Sequence, residues 1–104
     1  MPGRLRHVVL FKLADDHDPA LADDLAADAR ALLAAGDHPG RVARDLGFRP
    51  GHPRSAEVLL EAVFDDRAAF DAYLASEAHL AFLARWLDGE AVGIVAVQAA
   101  EDER

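Results

Sequence analysis

Four segments of the chain are rich in apolar and β-branched residues, and they predict four β-strands. The predicted strands are residues 6–13, 41–48, 56–64 and 91–99. In three of them apolar residues occupy both the odd and the even positions, which is typical of strands that are covered on both faces. The second strand is weaker, because Val42, Leu46 and Phe48 are its main apolar members.

Two segments between these strands have the spacing and end signals of α-helices. The first begins at Asp18-Pro19, since aspartate caps a helix with its carboxylate and proline fits the first helical position. Apolar residues then recur every three or four positions, and Gly36 is the expected C-terminal cap. The second helical region follows Asp65-Asp66 and ends at Asp88-Gly89, before the last strand and a predicted solvated tail over residues 100–104.

The order β-α-β-β-α-β predicts an α+β fold of the ferredoxin-like type, with a four-stranded antiparallel sheet. We expect residues 1–104 to form one domain. Two helices can cover only one face of such a sheet, whereas the strands are apolar on both faces. Along the first strand, Val8 and Leu10 point one way, and Val9 and Phe11 the other. An uncovered apolar face favours pairing with a second copy, and Val8, Val92 and Ile94 are candidates for this interface.

Two segments resemble a known family. The segment RHVVLFKL at 6–13 and the segment FDDRAAFDAYLASEAH at 64–79 are similar to the stress-responsive dimeric α/β-barrel (Dabb) domains. This resemblance implies a ferredoxin-like subunit that dimerises through its sheets. Some members are polyketide cyclases, in which a histidine of the first strand and a Tyr-x5-His pair line a cavity between sheet and helices. The matching positions here are His7, Tyr73 and His79.

The chain departs from the family pattern at Ser76-Glu77, where members commonly carry His-Pro. On one unbroken helix, six residues turn about 600°, so Tyr73 and His79 would lie about 120° apart. Both side chains can face the sheet only if the helix is interrupted between them. Because serine caps a new helix with its hydroxyl, we expect two helical pieces joined near Ser76.

Each candidate site residue also has a purely structural interpretation. His7 and His79 are either core histidines that bond a backbone group or groups placed for acid–base chemistry. In the second case His79 would be a general base with a pKa near neutrality and would remove a proton next to a carbonyl. Tyr73 would donate a hydrogen bond to the enolate oxygen that forms. His7 would orient the substrate or one of these groups. His17, His38 and His52 lie in predicted loops and are assigned no role.

Composition excludes several classes of function. The formal net charge of -8 disfavours binding to nucleic acid and to anionic membrane surfaces. No cysteine is present and no histidine pair has ligand spacing, so we expect no metal and no other cofactor. No apolar run is long enough to span a bilayer, and we expect a cytoplasmic protein.

Two classes of function therefore remain open from the sequence. One is a cofactor-free enzyme of the cyclase or isomerase type, which acts on a small hydrophobic carbonyl compound. The other is a non-enzymatic stress-response, structural or ligand-binding protein. An enclosed pocket that contains both imidazoles and the phenol would favour the enzyme, whereas a filled core with these rings bonded to backbone would favour the alternative.

Overall fold

The structure is a computed structural model that describes residues 4–90 and 92–100. The strands are β1 (Leu5–Lys12), β2 (Gly40–Arg44), β3 (Val58–Phe64) and β4 (Gly93–Ala100). The helices are α1 (Pro19–Ala35), α2 (Arg67–Ala75) and α3 (Glu77–Leu83), and α3 continues into a π-helical segment, Ala84–Gly89. The predicted order of elements is confirmed, with the second helical region divided into pieces.

All strand pairs of the sheet are antiparallel, and the strand order is β2-β3-β1-β4. Strand β1 therefore lies between β3 and β4, with its residue His7 opposite Ala62 on one side and Gln98 on the other. This arrangement is the predicted ferredoxin-like α+β fold.

Strand β2 is shorter than predicted, because it ends at Arg44 rather than at Phe48. The Asp45 carboxylate accepts a hydrogen bond from the backbone N–H of Gly47, and Gly47 has a φ of 78°. Such a local turn, which glycine tolerates best, takes the chain away from β3. Leu46 and Phe48, which were predicted to lie in this strand, are 77% and 83% exposed on the resulting loop.

Strand β4 begins at Gly93 and extends to Ala100, which pairs with Leu5 instead of belonging to the predicted tail. Ala91, the predicted start of the strand, and residues 101–104 lie outside the described residues.

The core lies between the sheet and the helices. From β1 it takes His7, Val9 and Phe11, which alternate with residues of the opposite face, as a strand requires. Leu25 of α1, Leu60 of β3 and Trp86 of the π-helical segment are the largest of its fully buried side chains. Full burial of such side chains stabilises the fold by about 1.5–3 kcal/mol each.

Helix α1 begins and ends as predicted. Asp18 accepts a hydrogen bond from the Ala20 N–H at 2.9 Å, and Pro19 is the first helical residue. Gly36 is the C-terminal cap, but its φ of -101° shows that it is not in the left-handed conformation. A side chain at position 36 would force the ring of His38 to move, because its Cβ would collide with that ring.

No helix of the described residues packs on the opposite face of the sheet. Leu10, Val95 and Val97 are exposed on it, and Val8 points the same way. Of the three residues predicted as interface candidates, only Val8 lies on this face. Val92 is buried in the core, and Ile94 lies opposite Phe11 on the helix side.

Ser76 divides the second helical region, as predicted. Its φ and ψ of -68° and 152° are extended, so α2 ends and α3 begins at this residue. The Ser76 hydroxyl donates to the Tyr73 carbonyl at 2.8 Å and accepts from the His79 N–H at 3.2 Å.

Replacing Ser76 by alanine removes both hydrogen bonds of the hydroxyl. We expect Ser76→Ala to lower the free energy of unfolding by about 1 kcal/mol, the usual cost of losing a helix cap. Urea denaturation followed by circular dichroism measures this change. Ser55→Ala is the matched control, because the Ser55 side chain has no hydrogen bond to the described residues. Equal stabilities of the two variants would contradict the capping role of Ser76.

Candidate functional site

His7 is a buried polar residue at the centre of the sheet, with 6% of its surface exposed. The rings of Phe64 and Phe70 lie against it, with centroids at 6.5 and 5.1 Å. Its Nδ1 atom is 2.6 Å from the side-chain oxygen of Gln98 on the neighbouring strand. Burial lowers the pKa of His7, although the hydrogen bond to Gln98 acts in the opposite direction.

Tyr73 lies on the sheet-facing side of α2 and is 4% exposed. Its ring contacts three imidazoles, those of His79, His38 and His7, with centroid distances of 4.8, 5.1 and 6.1 Å. Burial raises the pKa of Tyr73 to about 12, so the phenol keeps its proton at neutral pH.

The Tyr73 hydroxyl is free to meet a ligand. Within residues 4–90 and 92–100 it makes no hydrogen bond. No fully buried side-chain nitrogen or oxygen in the same part of the chain lacks a partner. The hydroxyl is therefore within reach of a water-sized molecule rather than sealed in the core.

His79 lies in the first turn of α3, immediately after the break at Ser76. Its Nδ1 atom is 3.1 Å from the Leu74 carbonyl. Because a carbonyl only accepts, Nδ1 carries the proton, and Nε2 is left with a free lone pair. Burial lowers the pKa of His79, and the nearby His7 ring lowers it further, while the bond to Leu74 raises it.

These three residues line one cavity of about 270 Å³ between the sheet and the helices. The rest of the lining is apolar and includes Val9, Phe11, Leu60, Leu74, Phe82 and Ile94. The cavity extends to β4, where Ile94 and Ala96 are exposed, so its mouth lies beside this strand. The structure thus brings together the three residues that the sequence singled out.

A wider groove of about 410 Å³ lies between α1 and α3. Its charged residues, Asp28 and Arg85, bond each other at 2.7 Å, and Asp28 also accepts from the indole of Trp86 at 3.0 Å. These groups hold the helices together, and no histidine or tyrosine is among the residues that line this groove. The smaller cavity with the titratable rings is therefore the candidate site.

His38 and Gln98 are parts of the site that the sequence analysis missed. The ring of His38 packs against Phe64 at 4.9 Å and meets the ring of Tyr73 edge-on. No periodicity marks His38, because its loop reaches Tyr73 only through the tertiary fold. Gln98 did carry a signal, since it is the single polar residue of β4.

The other histidines make local contacts in loops. His17 bonds the Ala14 carbonyl at 2.7 Å, and His52 accepts from the Arg54 N–H at 3.0 Å. Among the described residues, no group of three or more potential metal ligands is placed to hold an ion. None of the helices in that part of the chain is long and apolar enough to cross a membrane.

The chain matches a family model over nearly its whole length. The model is that of the Stress responsive A/B Barrel Domain, or Dabb, and it matches residues 5–97. This chain belongs to the Dabb family. The resemblance seen in the sequence is thereby confirmed. No curated protein sequence matches this Dabb domain.

Solved structures similar to this Dabb domain have the same fold. A dimeric ferredoxin-like protein of unknown function from Thermobifida fusca is 26% identical, with a TM-score of 0.77, and the match covers 96% of this chain and 92% of that one. A Dabb family protein from Mesorhizobium loti is 23% identical, with a TM-score of 0.73 and coverages of 97% and 99%. The hydroxynitrile lyase from Passiflora edulis is 20% identical, with a TM-score of 0.78 and coverages of 100% and 98%.

The lowered pKa of the buried histidines predicts how stability depends on pH. In the unfolded chain they take up protons near pH 6.5, whereas in the folded state they stay neutral to a lower pH. As the pH falls through this window, the free energy of unfolding should decrease by about 1.4 kcal/mol per pH unit for each such histidine. The loss stops once the pH is below the pKa in the folded state.

Urea denaturation between pH 8 and pH 5 measures this dependence, with His7→Asn as the comparison. Asparagine can still donate to Gln98 but cannot take up a proton, so the variant should lose less stability than the wild type on acidification. Identical pH profiles would contradict the assignment of His7 as a buried neutral base.

Proposed function

We propose that this Dabb domain binds a small, uncharged, apolar carbonyl compound and acts on it by cofactor-free acid–base chemistry. The reaction class is proton abstraction next to a carbonyl, followed by aldol closure or isomerisation. One observation carries the proposal: His7, Tyr73 and His79 converge on a cavity that is otherwise apolar.

The size of the cavity limits the ligand. An apolar cavity of about 150 Å³ holds benzene. The 270 Å³ found here fits a substituted monocyclic compound or a short diketone. No carboxylate, lysine or arginine of the described residues lines the cavity, so a charged ligand would lose its hydration without gaining a counter-ion.

Acid–base roles follow from the hydrogen bonds. The Leu74 carbonyl holds the proton of His79 on Nδ1, and the lowered pKa keeps the ring neutral near pH 7, so its Nε2 lone pair can accept a proton from carbon. The electron pair released from that C–H bond moves to the carbonyl oxygen. Tyr73, still protonated, donates a hydrogen bond to the enolate. His79, then charged, returns the proton in the closing step.

A hydroxynitrile lyase with the same fold supports the feasibility of this chemistry. Its name describes a lyase that acts on hydroxynitriles. At 20% identity this likeness concerns the fold, and the proposal for the present chain depends on its own cavity and rings.

A ligand-binding or stress-response protein without catalysis is the second candidate. One observation favours it: the bond from His79 to the Leu74 carbonyl is also what a purely structural histidine makes. The two candidates differ in whether bound compounds are converted.

Substitutions at the site separate these candidates. A thermal-shift screen with β-diketones and small aromatic ketones comes first, and any stabilising compound is then followed for conversion by NMR. We expect His79→Ala, which removes the base, to reduce turnover about 10²–10⁴-fold. Tyr73→Phe, which removes one hydrogen-bond donor, should reduce turnover less. Both variants should still bind ligand and remain folded.

His17→Ala, outside the cavity, is the control and should leave turnover unchanged. Binding without conversion in the wild type would establish the second candidate. The absence of any stabilising compound across the screen would argue against both.

We also propose that two copies pair through the open face of the sheet. The apolar residues Leu10, Val95 and Val97 are exposed there, and such a surface is a typical association site. The similar proteins from Thermobifida fusca and Bacteroides fragilis are described as dimeric.

A charge on this face should separate the copies. Val97 and Leu80 are each 54% exposed, but Val97 lies on the open face and Leu80 on α3. Light scattering should give twice the 11.2 kDa chain mass for the wild type and for Leu80→Glu. Val97→Glu should give a single chain mass. A dimeric Val97→Glu protein would place the interface elsewhere.

A further inference from the structure

Gln98 links the exposed edge strand β4 to the buried ring of His7. It is the single polar residue of β4, and it lies directly opposite His7 in the strand register. Residues in direct register point to the same face of a sheet, so the Gln98 side chain is on the cavity side. Its oxygen is 2.6 Å from Nδ1 of His7, which is a short hydrogen bond.

The direction of this bond fixes the tautomer of His7. An amide oxygen only accepts, so Nδ1 of His7 carries the proton and Nε2 keeps its lone pair. Within the described residues His7 makes no second hydrogen bond, and no fully buried side-chain nitrogen lacks a partner. The Nε2 atom is therefore within reach of a small molecule.

No charged group of residues 4–90 and 92–100 faces the His7 ring. From the helices, the titratable groups beside it are Tyr73 of α2 and, farther away, His79 of α3. From its own strand, Arg6 and Lys12 lie on the opposite face of the sheet, where Arg6 bonds Glu61 at 2.8 Å. Among the described residues only the neutral amide of Gln98 bonds the ring, and it offsets part of the lowering of the pKa that burial causes.

We propose that Gln98 is a positioning residue that confines the proton of the neutral His7 imidazole to Nδ1, while burial of the ring keeps it neutral. The cavity then contains two lone pairs, on Nε2 of His7 and of His79, and one fixed donor, the Tyr73 hydroxyl. Such a set matches an uncharged ligand that bears both a hydroxyl donor and a carbonyl acceptor. Any role of Gln98 in catalysis rests on the proposed function.

A carboxylate at position 98 would act differently. It would accept the same hydrogen bond, but its charge would stabilise the imidazolium form of His7. We therefore expect Gln98→Glu to raise the pKa of His7 by about 1–3 pH units. Gln98→Leu removes the acceptor, so the proton of the neutral ring should no longer be confined to Nδ1.

Long-range ¹H–¹⁵N NMR of labelled protein measures both tautomer and titration, and His7→Asn assigns the signals. Ala100→Glu is the matched control, since it adds the same charge to the same face of β4, two residues farther along. It should move the titration of His7 much less than Gln98→Glu does.

Each outcome decides the proposal without any ligand. A wild-type His7 protonated on Nδ1, together with the raised pKa in Gln98→Glu, supports it. A wild-type ring protonated on Nε2 overturns it, and this measurement needs no variant to fold. A pKa unchanged in folded Gln98→Glu overturns it as well. A ligand screen that finds nothing would count against the proposed function but would leave the role of Gln98 at His7 standing.

Discussion

The hydroxyl of Ser76 holds the candidate site together. An uninterrupted helix would turn Tyr73 and His79 to different sides, whereas the extended residue between them resets the helical phase. The same hydroxyl closes one helix by bonding the Tyr73 carbonyl and opens the next by accepting from His79. A single side chain is thus bonded to the backbones of both residues whose rings meet at 4.8 Å.

The environment of the three rings explains why they remain uncharged. Desolvation penalises the imidazolium form of His7 and His79 and the phenolate form of Tyr73, and the surrounding aromatic and aliphatic side chains supply no opposite charge. The hydrogen-bond partners of the histidines are a backbone carbonyl and an amide, both neutral. In a site of this kind, the positions of the rings and their tautomers decide where a proton is donated or accepted, because no fixed charge is close by.

The two faces of the sheet serve different purposes. One packs against the helices and forms the cavity. The other carries exposed apolar side chains on β1 and β4, and beside them an ion cluster in which Glu61 bonds Arg6 and Arg41. Strand β4 contributes to both faces, because Gln98 reaches His7 on one side while Val97 is exposed on the other. A second copy on the open face would therefore lie one strand thickness away from the cavity.

The sequence by itself determined the order of elements, the two-sided strands, the helix break and the family. These properties depend on local signals: continuous apolar and β-branched runs, Asp-Pro and Ser caps, and a Tyr-x5-His spacing that is incompatible with one helix. Local signals were insufficient for β2, where Leu46 and Phe48 have strand-like character but a turn at Asp45 and Gly47 takes the chain away from β3.

Only the tertiary structure decided which residues join His7, Tyr73 and His79. Gln98 is 91 positions from His7 in the chain, and the pairing of β1 with β4 brings them together. His38 reaches Tyr73 because Gly36 leaves room for its ring and the loop after α1 returns toward the sheet. Local periodicity contains no information about contacts at such separations, because they arise from strand register and packing that the whole chain fixes together.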